Sequence, residues 1–177
     1  MIKRIIKSAD SIHRKTRDIQ LENLELFDSC MKQCEISYWA SEGTALGLIR
    51  EGNLILGDSD VDVGMYYENK EKYYKECLPL LLQSGFRIYR QTPHAVIRNN
   101  QHIDIDFIGL DKPAMTYNWP EVPNKWFHLI EPFSRITLND RVYNVPSINY
   151  IEYLYGKNWR IPIPHCKPWQ CTPKLNS

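Results

Sequence analysis

Three aspartates, Asp58, Asp60 and Asp62, occupy alternate positions in the run N-L-I-L-G-D-S-D-V-D-V-G-M, which otherwise has the apolar pattern of a strand. Asp is a poor strand former, and carboxylates sharing one face of a pleat repel each other. A second stretch, H-I-D-I-D-F-I, repeats the oddity: Ile103, Ile105 and Phe107 alternate with His102, Asp104 and Asp106. If the two strands are neighbours, these aspartates converge. At an effective dielectric of about 20, each pair ~4 Å apart repels by about 4 kcal/mol. Protons or cations must relieve such crowding. An all-oxygen site built from several carboxylates suits Mg2+ or Mn2+. Either segment alone also fits a solvent-facing edge strand that carries aspartates against aggregation. Their recurrence favours the metal site.

Upstream, G-T-A-L-G reads as a Gly43-Thr44 turn opening a short helix near Thr44. Backbone N–H groups and a hydroxyl at a positive helix terminus suit a phosphate. Arg50, between that turn and the acidic strand, can add a bidentate phosphate contact.

These groups need a frame. Leu21, Leu24, Phe27, Met31 and Cys34 recur at steps of three and four, predicting a helix over 17–36 with one face on a core. Residues 1–16 then form a basic arm or helix start ahead of a domain spanning 17–177. A strand is expected at 36–40, and a helix beginning near Asn69 and ending before Gly85, kinked by Pro79. F-R-I-Y-R-Q and H-A-V-I-R-N-N-Q-H-I-D-I-D-F-I-G-L predict antiparallel strands with Asn99-Asn100 as a tight turn. R-I-T-L-N-D and R-V-Y-N-V-P predict another pair around an Asn-Asp turn, before a helix in S-I-N-Y-I-E-Y-L-Y-G. The order predicts a single α+β domain with one mixed sheet flanked by helices.

With 177 residues and a net charge of +1, the chain has size enough for a core and no bulk charge for nucleic acid. No apolar run reaches the ~20 residues of a membrane span, and the basic start lacks a secretory apolar core. A cytoplasmic location is therefore expected. Cys30, Cys34, Cys77, Cys166 and Cys171 form no C-x-x-C pair and read as reduced thiols rather than zinc ligands with His165.

The run Y-W-A-S-E-G-T-A-L-G-L-I-R-E-G-N-L-I-L-G-D-S-D-V-D-V-G-M resembles the signature of the LicD/fukutin family: Gly-Thr, Leu-Gly and Arg ahead of clustered acids. The likeness continues through H-I-D-I-D-F-I and the closing Y-L-Y-G-K-N-W-R-I-P-I-P, covering roughly residues 20–170, and is closer to the fukutin branch. The resemblance implies a nucleotidyltransferase-like fold and Mg2+- or Mn2+-dependent transfer of a phospho-alcohol, phosphocholine or ribitol phosphate, from a CDP-activated donor to a glycan hydroxyl, releasing CMP. By position, Asp60 and Asp62 match the metal pair and Gly43 and Thr44 the phosphate side. Asp104 or Asp106 matches the third carboxylate, the spacing leaning to Asp104. The other of the two, with His102 behind it, is the candidate base. Here Gly57, Asp58 and Ser59 replace the aromatic and acidic residues that precede the pair in the family.

Trp159 and Trp169 can stack on a sugar or on cytosine, or serve as lids on the core. Lys157 and Arg160 can meet phosphate or be solvated. Two rival readings are nucleotidyl transfer from an NTP and a non-catalytic nucleotide-binding module. A partner protein supplying the acceptor site is compatible with either enzymatic reading.

Overall fold

The computed structural model describes residues 2–109, 112–115 and 127–162; Cys166, Cys171, His165 and Trp169 lie outside them. Helix α1 (Ile2–Gln33) is longer than the apolar spacing predicts. Its first half has no Gly or Pro to stop propagation, and it runs on as helix. The packing face begins further along, where Leu24, Phe27 and Met31 are fully buried. Glu35, at φ 52°, turns the chain into β1 (Tyr38–Ala40).

Helix α2 (Glu42–Glu51) follows, closed by Gly52 in the left-handed conformation, and then β2 (Val61–Tyr66). The next helical run changes pitch three times, through a 3-10 turn (Tyr67–Asn69), α3 (Lys70–Lys72), a π turn (Tyr73–Cys77) and α4 (Leu78–Gln83). Pro79 has no N–H to give the preceding turn. The π turn directly before it, closed by the Leu78 N–H on the Tyr73 carbonyl, takes up the kink expected there.

Strands β3 (Arg87–Tyr89), β4 (Thr92–Arg98), β5 (Gln101–Gly109) and β6 (Lys112–Met115) complete the main sheet. After α5 (Phe127–Ile130), β7 (Ser134–Leu138) and β8 (Arg141–Val145) form a separate hairpin, and α6 (Ile148–Tyr155) ends at Gly156. Asn99-Asn100 and Asn139-Asp140 make the two expected hairpin turns, all four residues at positive φ. Arg90-Gln91 adopts the same geometry with residues that do not announce it.

The sheet order is β1-β2-β5-β4-β3, with β6 beside the far half of β5. β2 and β5 run parallel and every other pair is antiparallel, so the sheet is mixed. Val61, Val63, Ile103 and Ile105 enter one core with Leu24, Phe27 and Met31. The alternate residues Asp62, Asp104 and Asp106 project to the opposite face. Free thiols Cys30, Cys34 and Cys77 are buried in the same core. Burial raises the Cys30 and Cys77 thiols above their ordinary range, which keeps them protonated.

Gly64, two residues after Asp62 on β2, is pressed under Trp39. A Cβ there would lie 2.2 Å from the ring, which is 1% exposed and has no room to withdraw. We expect Gly64→Ala to cost about 1–3 kcal/mol by overpacking, lowering the melting temperature by roughly 3–10 °C. A thermal melt at wild-type temperature would show that Trp39 can move aside.

Candidate functional site

β2 begins only at Val61, so Asp58 and Asp60 are not strand residues as their alternation predicts; they belong to the loop 57–60. The parallel ladder starts at Val61 opposite Ile103, and the backbone ahead of it finds other partners. Gln20 of α1, 1% exposed, donates from Nε2 to the Asp58 carbonyl at 3.0 Å and to the Asp60 carbonyl at 3.5 Å. One turn on, Asn23 donates to the carbonyls of Arg98 and Gln101 at 2.8 and 3.1 Å, gripping the turn that leads into β5. Asp58 Oδ1 accepts the Ser59 N–H at 3.0 Å.

Parallel register then sets Asp62 opposite Asp104 and Gly64 opposite Asp106, on strands about 4.8 Å apart. The start of α2 abuts these carboxylates. The helix begins at Glu42 rather than at Thr44, with Ser41 as N-cap, and Glu42 holds a left-handed φ of 39°. A non-glycine residue in that region is strained and persists only where its surroundings impose it. Here the backbone of Asp62 is fixed on both sides: its carbonyl accepts the Ser41 N–H at 3.0 Å and its N–H donates to Thr44 Oγ1 at 2.8 Å.

Thr44 is 2% exposed and positions Asp62. A Cβ on Gly43 would sit 2.6 Å from Asp58 Oδ2 and 3.8 Å from Asp62 Oδ2. The helix terminus read from the sequence as a phosphate seat therefore faces the protein's own carboxylates, whose charge its dipole favours.

Deeper in, His102 Nε2 lies 3.4 Å from Asp60 Oδ2 and 3.8 Å from Asp104 Oδ2. Arg90 Nη1 is 3.6 Å from the same Asp104 oxygen. Tyr89 stacks on the imidazole with centroids 4.8 Å apart, and the Arg90 guanidinium lies over Tyr89 at 4.8 Å. One donor atom each from Asp60, His102 and Asp104 fall within 4.8 Å of one another.

The charges are mutually felt. Burial, then Asp60, Asp104 and Asp58, push the Glu42 carboxyl up to about 7. Burial and Asp60 push Asp58 up to about 6. Asp62 and Asp106 rise well above the carboxylate range, chiefly through burial and next through Glu42. Burial also raises Asp104, against the pull of His102 and Arg90. For Asp60 burial is again the largest single influence, but His102, Ser59 and Arg90 together outweigh it and hold that carboxyl low. The phenols of Tyr150 and Tyr155 on α6 are raised by burial and by Glu42.

These groups fit a divalent cation. His102 Nε2 and Asp104 Oδ1 are buried without a hydrogen-bond partner, an arrangement that is costly unless something else satisfies them. Oxygen-rich donors around such atoms suit Mg2+ or Mn2+.

The structure thus brings together Asp60, Asp62, Asp104, Asp106, Gly43 and Thr44. It does not bring Arg50 or Trp159 to them. Arg50 sits near the C-terminal end of α2, eight residues and on the order of 12 Å from Glu42, paired with Glu51 at 2.6 Å and bonded to the Trp159 carbonyl. Trp159 is 5% exposed in the main core, with Arg160 stacked on it at 4.2 Å. It is a lid on the core, and Lys157 is exposed. Sequence reasoning missed Glu42 and Arg90. The Glu directly before Gly-Thr was the one available signal for the first; a two-residue turn without Asn or Gly hid the second.

No helix among the described residues is long and apolar enough to cross a membrane. Two structures of ANT(2'')-Ia share the fold. One is a crystal structure in complex with adenylyl-2''-tobramycin, at TM-score 0.53 and 12% identity over 76% of this chain and 73% of that one. The other is a solution structure of the antibiotic-resistance factor, at 0.55 and 13% over 87% and 80%. Among sequences, human ribitol-5-phosphate transferase FKTN is 27% identical over 168 residues, 84% of this chain and 34% of that protein. An uncharacterised protein of Rickettsia typhi is 31% identical over 94 residues, 52% of this chain and 30% of its own length. The chain thus spans about a third of these relatives. The family model for the LicD/FKTN/FKRP nucleotidyltransferase domain matches residues 35–147, which include every carboxylate of the cluster, and the chain belongs to that family.

Proposed function

We infer that this chain is a divalent-metal-dependent transferase that moves a phospho-alcohol, of the ribitol phosphate or phosphocholine type, from a CDP-activated donor to a glycan hydroxyl and releases CMP. The observation that carries the reading is the parallel register that sets Asp62 against Asp104, with Glu42, Asp58 and Asp60 brought in from α2 and the loop. The relatives named ribitol-5-phosphate transferase supply the class of group transferred.

Asp60, Asp62 and Asp104 would hold the ion. It would supply charge neutralisation along the donor's pyrophosphate as CMP departs. Arg90, beside Asp104, is better placed than Arg50 to meet a donor phosphate. Asp106, whose burial favours the protonated form, faces Glu42 and Asp104 and is the candidate acceptor of the glycan hydroxyl's proton once cation binding lowers its pKa. A partner protein or a further domain would hold the glycan acceptor.

Incubation with CDP-ribitol, CDP-choline, CDP-glycerol or CTP, with Mg2+ or Mn2+, tests the assignment. CMP release from one CDP-alcohol is the expected result. Pyrophosphate from CTP would replace it with nucleotidyl transfer. Nucleotide binding without turnover of any donor would leave a binding module.

A further inference from the structure

We propose that His102 is itself a metal ligand, and that its nitrogen makes the site prefer a first-row transition ion such as Mn2+ to Mg2+. This inference rests on the metal-dependent reading above and narrows it to one ligand and one class of ion.

The geometry is local. His102 is 9% exposed, and its Nε2 has no hydrogen-bond partner while lying 3.4 and 3.8 Å from single oxygens of Asp60 and Asp104. An octahedral ion with bonds of about 2.1 Å places adjacent donors about 3 Å apart and opposite donors about 4.2 Å apart. Three donor atoms within 4.8 Å of one another need only small adjustments to meet that pattern. Asp104 Oδ1, also unpartnered, leaves a second oxygen for the same ion or for a bound water.

The ring is held in place. Tyr89 stacks on it, and Arg90 packs over Tyr89 while contacting Asp104. As His102 is on β5 two residues before Asp104, both side chains lie on the same face of the strand. Imidazole nitrogen raises affinity for transition ions along the Irving–Williams order, whereas Mg2+ favours oxygen ligands and retained waters.

The test uses the full chain and Mn2+ followed by electron paramagnetic resonance. Wild-type protein should bind Mn2+, its spin echo should carry modulation from an imidazole nitrogen, and Mg2+ should displace it only in large excess. His102→Gln should remove the modulation and weaken Mn2+ binding about tenfold or more, with Mg2+ affinity changing less than about threefold. Mn2+ bound to wild-type protein without nitrogen modulation would overturn the proposal and leave an oxygen-only metal site standing; this reading needs no variant to fold. Failure of wild-type protein to bind Mn2+ at all would overturn both this proposal and the metal-dependent reading.

Discussion

Asp62→Asn should give a protein that is more stable without metal and inactive with it. Asp62 is crowded by burial, Glu42, Asp60, Asp106 and Asp58, which raise its carboxyl well above its usual range. At neutral pH the fold must protonate this group or bear its charge, and neither demand exists in the unfolded chain. Asparagine keeps the shape and removes the demand. The backbone bonds to Ser41 and Thr44 do not involve the side chain and should persist. A gain of about 1 kcal/mol would raise the melting temperature by about 2–4 °C. Turnover of the donor should fall about a thousandfold or more, since a metal site contributes several kcal/mol to the transition state and each 1.4 kcal/mol is tenfold. Stability and activity moving in opposite directions is the signature of a site that strains its fold. A variant that melts lower, or that still turns over donor, would make Asp62 a structural residue.

The second large effect is on pH dependence. Glu42 rises from 4.5 to about 7 on folding, and Asp58 from 3.8 to about 6. The native state therefore binds more protons than the unfolded chain between these limits, and stability falls as pH rises through them. Stability is greatest near the unfolded values and lost above about 7. Glu42 alone accounts for roughly 3 kcal/mol over its shift, or roughly 5–10 °C in melting temperature. Chelator-treated protein should melt progressively lower from pH 5 to pH 8, and Glu42→Gln should flatten the decline. Mn2+ should restore the loss at pH 8 and do less at pH 5, where burial and crowding favour the protonated forms of Asp62, Glu42 and Asp58. A metal-free melting temperature that stays level or climbs across this range would mean the carboxylates are not crowded.

Much of this arrangement can be read from residue order, and the exceptions have physical causes. Asn-Asn and Asn-Asp turns between apolar alternations mark two hairpins because few residues tolerate positive φ. Alternation on β5 correctly separates Ile103 and Ile105 from Asp104 and Asp106. The same alternation misplaces Asp58 and Asp60, since spacing cannot reveal that Gln20, remote in sequence, takes their carbonyls out of any ladder. Arg50 follows the glycine-threonine pair closely in sequence, but the intervening helix carries it to the other end. Residue type leaves Trp159 as either a ligand platform or a lid on the core; its neighbours in the core decide for the lid. Glu42 escapes notice because its contribution depends on a backbone conformation that carboxylic residues rarely adopt.

Gln20 and Asn23 have a broader consequence. Both grip main-chain carbonyls with amides that carry no charge and do not titrate. These two anchors beneath the carboxylates are thus themselves indifferent to acidity. A cation bound there would meet a seat already set in shape, and little of its binding free energy would be consumed in ordering chain. Individual acids can be exchanged over evolutionary time without unmooring the loop, so chemistry can drift on this frame while its geometry endures.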